Sequence, residues 1–315
     1  MSIIQPKYIS DIRNMMKLYA PEYYRDFVCI ADKCRHSCCI GWEIDVDPLS
    51  MEKYSAITHP YGQTVRDSID TGSDTPHFIT DDDDRCPHLD SHGLCRMILN
   101  LGEDSLCNIC REHPRFYNDT LRGKEVGLGM SCEEAARIIL SSDKYNTFIE
   151  IGDTDEEIDV EYDCIPARKQ LYSILSDRNI KYSDRLAMIY RRFGVSPEIL
   201  DDDAWQQLLG DLEYLDDSHR DIFSSVYSSH AHVPESIEKC LERALAYFIY
   251  RHCTGAESDS DLRISLGFSI FCERLLASLA ENDPSTDITE HARVLSEELE
   301  YSPDNTEAIK LEFLF

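Results

Sequence analysis

The feature that most constrains this chain is the crowding of cysteines in its N-terminal half. The stretch FVCIADKCRHSCCIGW, residues 27–42, holds four of the thirteen cysteines. Five more follow up to residue 132, and the other four are scattered through the rest of the chain. A chain of 315 residues can bury a sizeable core without covalent staples, so its size does not explain these thiols. The crowded set is Cys29, Cys34, Cys38, Cys39, Cys86, Cys95, Cys107, Cys110 and Cys132.

The setting of these thiols favours metal binding over disulfide bonding. Residues 1–20 lack the basic start, apolar core and cleavage site of a signal peptide. The longest apolar run, ALAYFIY at 244–250, is far shorter than a membrane span. We therefore expect a soluble, cytoplasmic protein, in which disulfides are rare and clustered thiols more often bind metal.

The spacing of the thiols suits either zinc or an iron–sulfur cluster. Cys107 and Cys110 form a C-x2-C pair, which lets two thiolates from one turn reach a single ion. Both kinds of centre take four soft ligands, so nine thiols could complete two sites, or one site with spares. A nucleophilic cysteine among the spares stays open, and a thioredoxin-like pair is disfavoured because no strand precedes it. Histidines that could replace a thiolate are His36, His88, His92 and His113.

The charge of the chain limits its partners. It carries 31 basic and 60 acidic residues, for a net charge of -29. The electrostatic field of this negative charge repels phosphate backbones and anionic lipid. We therefore expect neither nucleic acid nor a membrane surface as a partner. A cationic substrate, such as a protein with exposed lysines, would be attracted. A surface that only keeps the protein in solution explains the charge equally well.

Hydrophobic periodicity predicts a mainly α protein of the α+β class. We expect a small, irregular cysteine-rich metal-binding region with short strands over residues 1–150, followed by a helical bundle over residues 165–315. Alternation in WEIDVD, residues 42–47, predicts a strand, and KEVGLGM at 124–130 is a weaker second candidate. The acidic segment 151–163 has the composition of a linker or an exposed strand.

Two helical patterns bear on the cysteines. In SCEEAARIIL, Ser131 and Glu134 have the spacing of a capping box, which would put Cys132 on the first turn, where the helix dipole favours a thiolate. Apolar residues over 237–249 advance by three and one, as one stripe of a helix, and residues 186–193 repeat that spacing. Cysteines expected to be small buried hydrophobes are Cys164, Cys240, Cys253 and Cys272.

Three stretches resemble the flagellin lysine-N-methylase family: FVCIADKCRHSCCIGWEIDVD, RCPHLDSHGLCRMILNLGEDSLCNICREHPRF and LGMSCEEAARIIL. The likeness covers about residues 20–142, and a more distant one extends to small cysteine-rich domains described as zinc or iron chelators. The resemblance implies transfer of methyl groups from S-adenosylmethionine to lysine side chains of flagellin or a similar surface protein. It also implies a cysteine-ligated iron–sulfur cluster of the 4Fe–4S type.

The cofactor site has no familiar signature. GLGMSC offers two glycines without a βαβ unit around them, and the radical spacing C-x3-C-x2-C fails at Gly41. We predict that Arg115 and Glu103, which flank the C-x2-C pair, serve the cofactor, because an arginine can grip the carboxylate of S-adenosylmethionine bidentately. Arg115 could instead pair with Glu103 or offset a cluster's charge.

The catalytic residues are not identified by the sequence. Two other function classes stay open: a non-catalytic zinc- or iron-binding interaction module, and a redox protein.

Overall fold

The computed structural model describes residues 16–156 and 158–314. Residues 1–15, on which the expectation about a signal peptide largely rests, lie outside the described residues, as do 157 and 315. Across the described ranges the chain forms thirteen α-helices and six short strands, which confirms the predicted mainly α, α+β fold.

The strands are β1 (Met16–Pro21), β2 (Ile69–Asp70), β3 (His77–Phe78), β4 (Arg115–Thr120), β5 (Gly123–Leu128) and β6 (Phe148–Thr154). The helices are α1 (Pro48–Ser55), α2 (Tyr61–Asp67), α3 (Arg96–Leu101), α4 (Asn108–Glu112), α5 (Glu133–Ser141), α6 (Ile165–Leu175), α7 (Tyr182–Phe193), α8 (Asp202–Asp211), α9 (Asp217–Val226), α10 (Glu238–Phe248), α11 (Asp259–Asn282), α12 (Ile288–Leu295) and α13 (Pro303–Leu311). Short 3₁₀ turns cover Glu22–Asp26, Ala31–Lys33, Glu103–Ser105, Pro197–Ile199 and Glu312–Leu314, and π-helical turns extend α10 and α12 over Ile249–Cys253 and Ser296–Glu300.

A four-stranded mixed sheet has the order β4-β5-β1-β6. β1 runs parallel to β5, and the β4–β5 and β1–β6 pairs are antiparallel. The strand predicted in KEVGLGM is confirmed as β5, and the acidic segment begins as the last residues of β6. Because β5 and β6 run in opposite directions on either side of β1, the chain from β5 through α5 to β6 is not a βαβ unit.

The predicted strand in WEIDVD is wrong. Ile44 and Val46 are buried, as the alternation required, but only Asp45 makes a strand-like bridge, to His77. The Val46 N–H donates to the Pro76 carbonyl at 2.7 Å, and β3 begins directly after that loop. The segment is therefore an extended loop, and its Ile44 and Val46 side chains belong to the smaller of two hydrophobic cores.

The helix predicted in SCEEAARIIL is confirmed as α5, but its capping box is wrong. Cys132 is the N-cap residue, and its side chain makes no capping hydrogen bond. The Ser131 hydroxyl is buried without a partner. The Glu134 carboxylate instead accepts from Arg137 Nε at 2.7 Å, because that guanidinium lies one turn further along the same helix face.

The buried apolar side chains form two clusters. The larger joins β5 and α5 to the C-terminal helices around α11, whose buried residues run almost without interruption from Leu262 to Leu279. The smaller lies within residues 44–110 and contains ten buried side chains. The predicted division into residues 1–150 and 165–315 stays a prediction.

The helical stripe over residues 237–249 is confirmed by α10, where Leu241, Leu245 and Phe248 are fully buried. Three of the cysteines predicted as buried hydrophobes, Cys164, Cys253 and Cys272, are buried, and Cys240 is half-buried. None of the helices in the described part of the chain combines the length and the apolar character needed to cross a bilayer.

A buried ion pair ties the sheet to the helices. Glu125 on β5 is fully buried and accepts from Arg168 of α6 at 2.6 and 2.8 Å. The same guanidinium donates to the Thr254 hydroxyl at 2.7 Å. All these groups are thereby satisfied away from water, as buried charges require.

Candidate functional site

Five thiols gather around the smaller core. Cys86 and Cys107 are buried members of it, and three further thiols pack against it. The Cys86 N–H donates to the Cys39 carbonyl at 2.8 Å, which brings two distant parts of the sequence together. We call this set the core thiol group: Cys39, Cys86, Cys95, Cys107 and Cys110.

The other four crowded thiols lie at the start of α5. The Cys34 thiol is 3.7 Å from a Glu133 carboxylate oxygen, and the same oxygen accepts from the Arg35 N–H at 2.8 Å. These contacts hold the segment after Cys29 against the helix N-terminus. Contact with Cys39 and burial raise the pKa of Cys38, and Cys132 and Cys29 lie near enough to add to that shift. We call this set the rim thiol group: Cys29, Cys34, Cys38 and Cys132.

Each group contains half of the Cys38–Cys39 dipeptide, so the two groups adjoin. Contact between the thiols of this dipeptide lowers the pKa of Cys39 and raises that of Cys38. The C-x2-C pair behaves alike, because the hydrogen bond from Cys110 lowers the pKa of Cys107. In each pair one sulfur is therefore prepared to ionise while its neighbour keeps its proton.

Burial dominates the other thiols. It raises the pKa of Cys34 to about 11 and that of Cys86 to about 12. It also raises the pKa of Cys132, although the N–H groups of Glu134 and Ala135 act in the opposite direction. The helix N-terminus therefore acts on Cys132 in the predicted direction, but the loss of water outweighs it and the pKa of the thiol is raised.

The two thiol groups have the chemistry of a metal centre without forming one as they stand. In residues 16–156 and 158–314, no three or more His, Cys, Asp or Glu side chains stand as a ready-made metal site. The chemistry of the donors nevertheless fits, since each group supplies at least four thiols, as zinc or an iron–sulfur cluster requires. The Tyr54 hydroxyl, buried without a hydrogen-bond partner, lies beside Cys107 and could donate to a metal-bound sulfur.

The candidate histidines are less suited to ligation. His88 is buried, and both ring nitrogens are engaged, one with the Tyr61 hydroxyl at 2.9 Å and one with the Ser68 hydroxyl at 3.0 Å. His36 lies 3.2 Å from a Glu290 carboxylate oxygen. Burial lowers the pKa of His113 to about 4, so its half-buried ring is neutral. His92 is exposed in a turn.

A groove of about 860 Å³ borders the core thiol group. Helix α4 and its N-cap residue Cys107 lie between the smaller core and the groove. Cys107 and Cys110 pack in the smaller core, while Ile109 and Glu112 line the groove. Residues of α1, the start of β4 and Tyr301, from the C-terminal region, complete the lining. The groove therefore lies where the cysteine-rich region meets the sheet and the last helices.

Of the two residues predicted to serve a cofactor, Arg115 lines this groove, whereas Glu103 is exposed and is not among the lining residues. Arg115 Nε donates to the Tyr24 hydroxyl at 2.8 Å, and the guanidinium lies 5.8 Å from the centre of the Phe27 ring. These contacts hold the side chain in place. Arg115 is thus engaged with aromatic residues rather than with Glu103, and the cofactor role of both residues stays a prediction.

Several residues of the groove were missed from the sequence. Asp45 and Asp74 lie on neighbouring loops, and Glu112 stands two residues after Cys110. The alternation in WEIDVD gave a signal for Asp45 as a solvent-facing position. Tyr301 lies far from the other groove residues in the sequence, and no motif marks it.

Comparison with known proteins gives similarity over part of the chain. A protein named lysine-N-methylase from Salmonella choleraesuis (strain SC-B67) is 28% identical over 127 residues, which are 38% of this chain and 32% of that protein. The protein of the same name from Salmonella typhimurium (strain LT2) gives the same identity and coverage. Flagellar biosynthetic protein FliU of Salmonella muenchen is 27% identical over 127 residues, 75% of its length.

The chain therefore spans about a third of the length of the lysine-N-methylases that it matches. No protein-family model matches the chain, and no solved structure does. The matches nevertheless confirm the resemblance: over about two fifths of its length, this chain is similar to proteins named lysine-N-methylase.

Proposed function

We propose that this protein is an S-adenosylmethionine-dependent protein lysine N-methyltransferase with a cysteine-ligated iron–sulfur cluster. The observation that carries the proposal is the groove bordered by the helix that holds Cys107 and Cys110, in a chain similar to proteins named lysine-N-methylase. The substrate that we propose is flagellin or a similar surface protein, in line with the name of the flagellar relative. We expect the protein to act in the cytoplasm, where its thirteen cysteines would stay reduced.

The residues that would hold the centre are those of the core thiol group, with the rim thiol group able to hold a second. A bound 4Fe–4S cluster would supply a redox-active, electron-accepting group beside the groove. The protein's own contribution is to bring the thiols together from separate loops. The free Tyr54 hydroxyl fits this role, because it would donate to sulfur once Cys107 is bound to metal.

Methyl transfer imposes a protonation requirement on the groove. The lysine amine attacks the methyl carbon, the bond from carbon to sulfur breaks, and the nitrogen loses a proton. A free lysine has a pKa of about 10.4, and nearby carboxylates raise it further, so the proton must leave through a base or water. His113 is neutral in the groove and can accept a hydrogen bond, but its low pKa makes it a weak base. Glu112 also lines the groove, where its carboxylate already accepts a hydrogen bond from the Tyr117 hydroxyl.

Calorimetric titration with S-adenosylmethionine tests the proposal. The protein should be purified without oxygen, and its iron, sulfide and zinc should be measured on the same sample. We expect brown protein with absorption near 400 nm, as ligand-to-iron transitions of about this energy are usual for such clusters, and a saturable heat of cofactor binding. Well-folded, cluster-loaded protein that gives no heat would overturn the methyltransferase proposal.

A structural zinc module is the second candidate, favoured by the size of the smaller core. Ten buried side chains are few for a region that spans residues 44–110, and a core this small usually needs a disulfide or a structural metal to be stable. Zinc held by core thiols would provide one. Colourless protein with stoichiometric zinc and no affinity for S-adenosylmethionine would favour this reading. Cluster-loaded protein that undergoes reversible reduction but binds no S-adenosylmethionine would favour the redox alternative.

A further inference from the structure

The groove carries an uneven set of charges. Four carboxylates line it, against the single guanidinium of Arg115, because His113 is neutral. The four are Asp45, Asp47, Asp74 and Glu112. The lining is therefore a site of net negative charge, beyond the general acidity of the surface, and it favours a cationic occupant.

Two of the four carboxylates are committed to the fold. Asp47 caps α1, accepting from Ser50, and also accepts from the Asn108 N–H at 2.8 Å. Glu112 accepts from the Tyr117 hydroxyl at 2.6 Å. These bonds keep both side chains in place and leave less of their hydrogen-bonding capacity for a ligand.

The other two carboxylates, Asp45 and Asp74, are exposed, and neither has a side-chain partner among residues 16–156 and 158–314. They lie on adjacent loops, because the Val46 N–H donates to the Pro76 carbonyl at 2.7 Å. Both therefore come from one pair of hydrogen-bonded loops, whereas Arg115 begins β4.

Much of the remaining lining is apolar. Met51, Ile109, Pro114 and the Tyr301 ring contribute carbon surface, and Ile109 is 47% exposed. Anionic groups above an apolar wall suit a side chain with an aliphatic stem and a charged head. Lysine has that form, since it buries its methylenes while its ammonium stays among polar groups.

We propose that this groove binds a lysine side chain of a partner protein, with Asp45 and Asp74 holding the ammonium and the apolar wall holding the stem. As an identification of the substrate site, this inference rests on the proposed function. As a binding site for cationic peptide, it can be tested without S-adenosylmethionine. Both carboxylates are exposed at the edge of the groove, so a folded or extended protein segment can approach them.

The test is calorimetric titration of the full-length protein with a short synthetic peptide that carries one lysine between serine and glycine residues. A second peptide replaces the lysine by norleucine, which keeps the stem and removes the charge. We expect the lysine peptide to bind and the norleucine peptide to bind at least tenfold more weakly. The double variant Asp45→Asn/Asp74→Asn should also bind the lysine peptide about tenfold more weakly.

The matched control is Asp82→Asn/Asp83→Asn, which removes the same charge from an exposed loop outside the groove lining. It should keep peptide affinity within about twofold. Equal weakening in both double variants would overturn the inference, since the effect would then come from net charge alone. Circular dichroism checks that both variants fold.

Two further outcomes separate this inference from the proposed function. Groove-dependent peptide binding in protein that binds no S-adenosylmethionine would sustain the site and remove the methyltransferase proposal. Mutual exclusion of peptide and S-adenosylmethionine would overturn the inference in favour of a cofactor groove, because both substrates must be bound together for direct transfer.

Discussion

Replacing Glu125 by glutamine should destabilise the protein by about 3 kcal/mol, toward the lower end of the cost of breaking a buried ion pair. The substitution keeps the shape of the side chain and removes its charge. Arg168 would stay buried, with 3% of its surface exposed, and would lose the carboxylate that it now contacts through two nitrogens. The Thr254 hydroxyl remains as a neutral partner, and the amide oxygen recovers part of the loss.

Urea unfolding followed by circular dichroism measures this cost. The control is Glu156→Gln, because Glu156 is an exposed partner of Lys124 and such pairs contribute less than about 1 kcal/mol. The double variant Glu125→Leu/Arg168→Met should recover most of the stability, since no buried charge is left unpaired. A loss below about 1 kcal/mol in Glu125→Gln would refute the reasoning and show that Arg168 finds compensation elsewhere.

Three further perturbations have defined outcomes. Gly267→Ala should lower the free energy of unfolding in urea by about 1–3 kcal/mol, because the added carbon would lie 2.3 Å from an atom of the Phe313 ring. The control Gly152→Ala adds its carbon in open space and should change the free energy of unfolding little. A hydrogen bond to Glu298 raises the pKa of His219 above its ordinary 6.5, so its stabilising contribution is complete below that pH and is lost as pH rises through the raised value. His219→Gln should flatten the pH profile of unfolding there, and an unchanged profile would exclude the contribution. Arg115→Lys should weaken binding of S-adenosylmethionine about tenfold, by about 1.4 kcal/mol, with metal content unchanged; loss of metal too would make Arg115 a structural residue.

The elements that could be predicted from the sequence are those set by local periodicity. The stripe that includes Leu241 and Leu245 predicted α10, because one helix face buries residues at a fixed spacing. The same reasoning misjudged WEIDVD. Alternation indicated correctly that Ile44 and Val46 are buried. A strand also needs successive pairs with a neighbouring backbone, and this segment makes only one such pair, between Asp45 and His77.

Local motifs failed where another side chain competed. Ser131 and Glu134 have the spacing of a capping box, yet Arg137 attracts the glutamate more strongly than the backbone N–H does. Spacing alone did not reveal that competition, because both partners lie within one helical turn of the glutamate.

The number and density of the thiols predict metal binding, and that stays a prediction. The sequence did not reveal the geometry of the site, because the division into core and rim thiol groups depends on how the Cys38–Cys39 dipeptide is placed between two parts of the fold. The groove depends on tertiary structure even more, since Asp45, Asp74 and Tyr301 come from three separate parts of the sequence.

The most direct test of the central proposal is mass spectrometry of flagellin after incubation with the cluster-loaded protein and S-adenosylmethionine. We expect added methyl groups on lysine side chains, which require both the protein and the cofactor and are fewer with the Asp45→Asn/Asp74→Asn variant. Flagellin and other lysine-bearing surface proteins that gain no methyl group, with protein that is folded and loaded with its cluster, would contradict it.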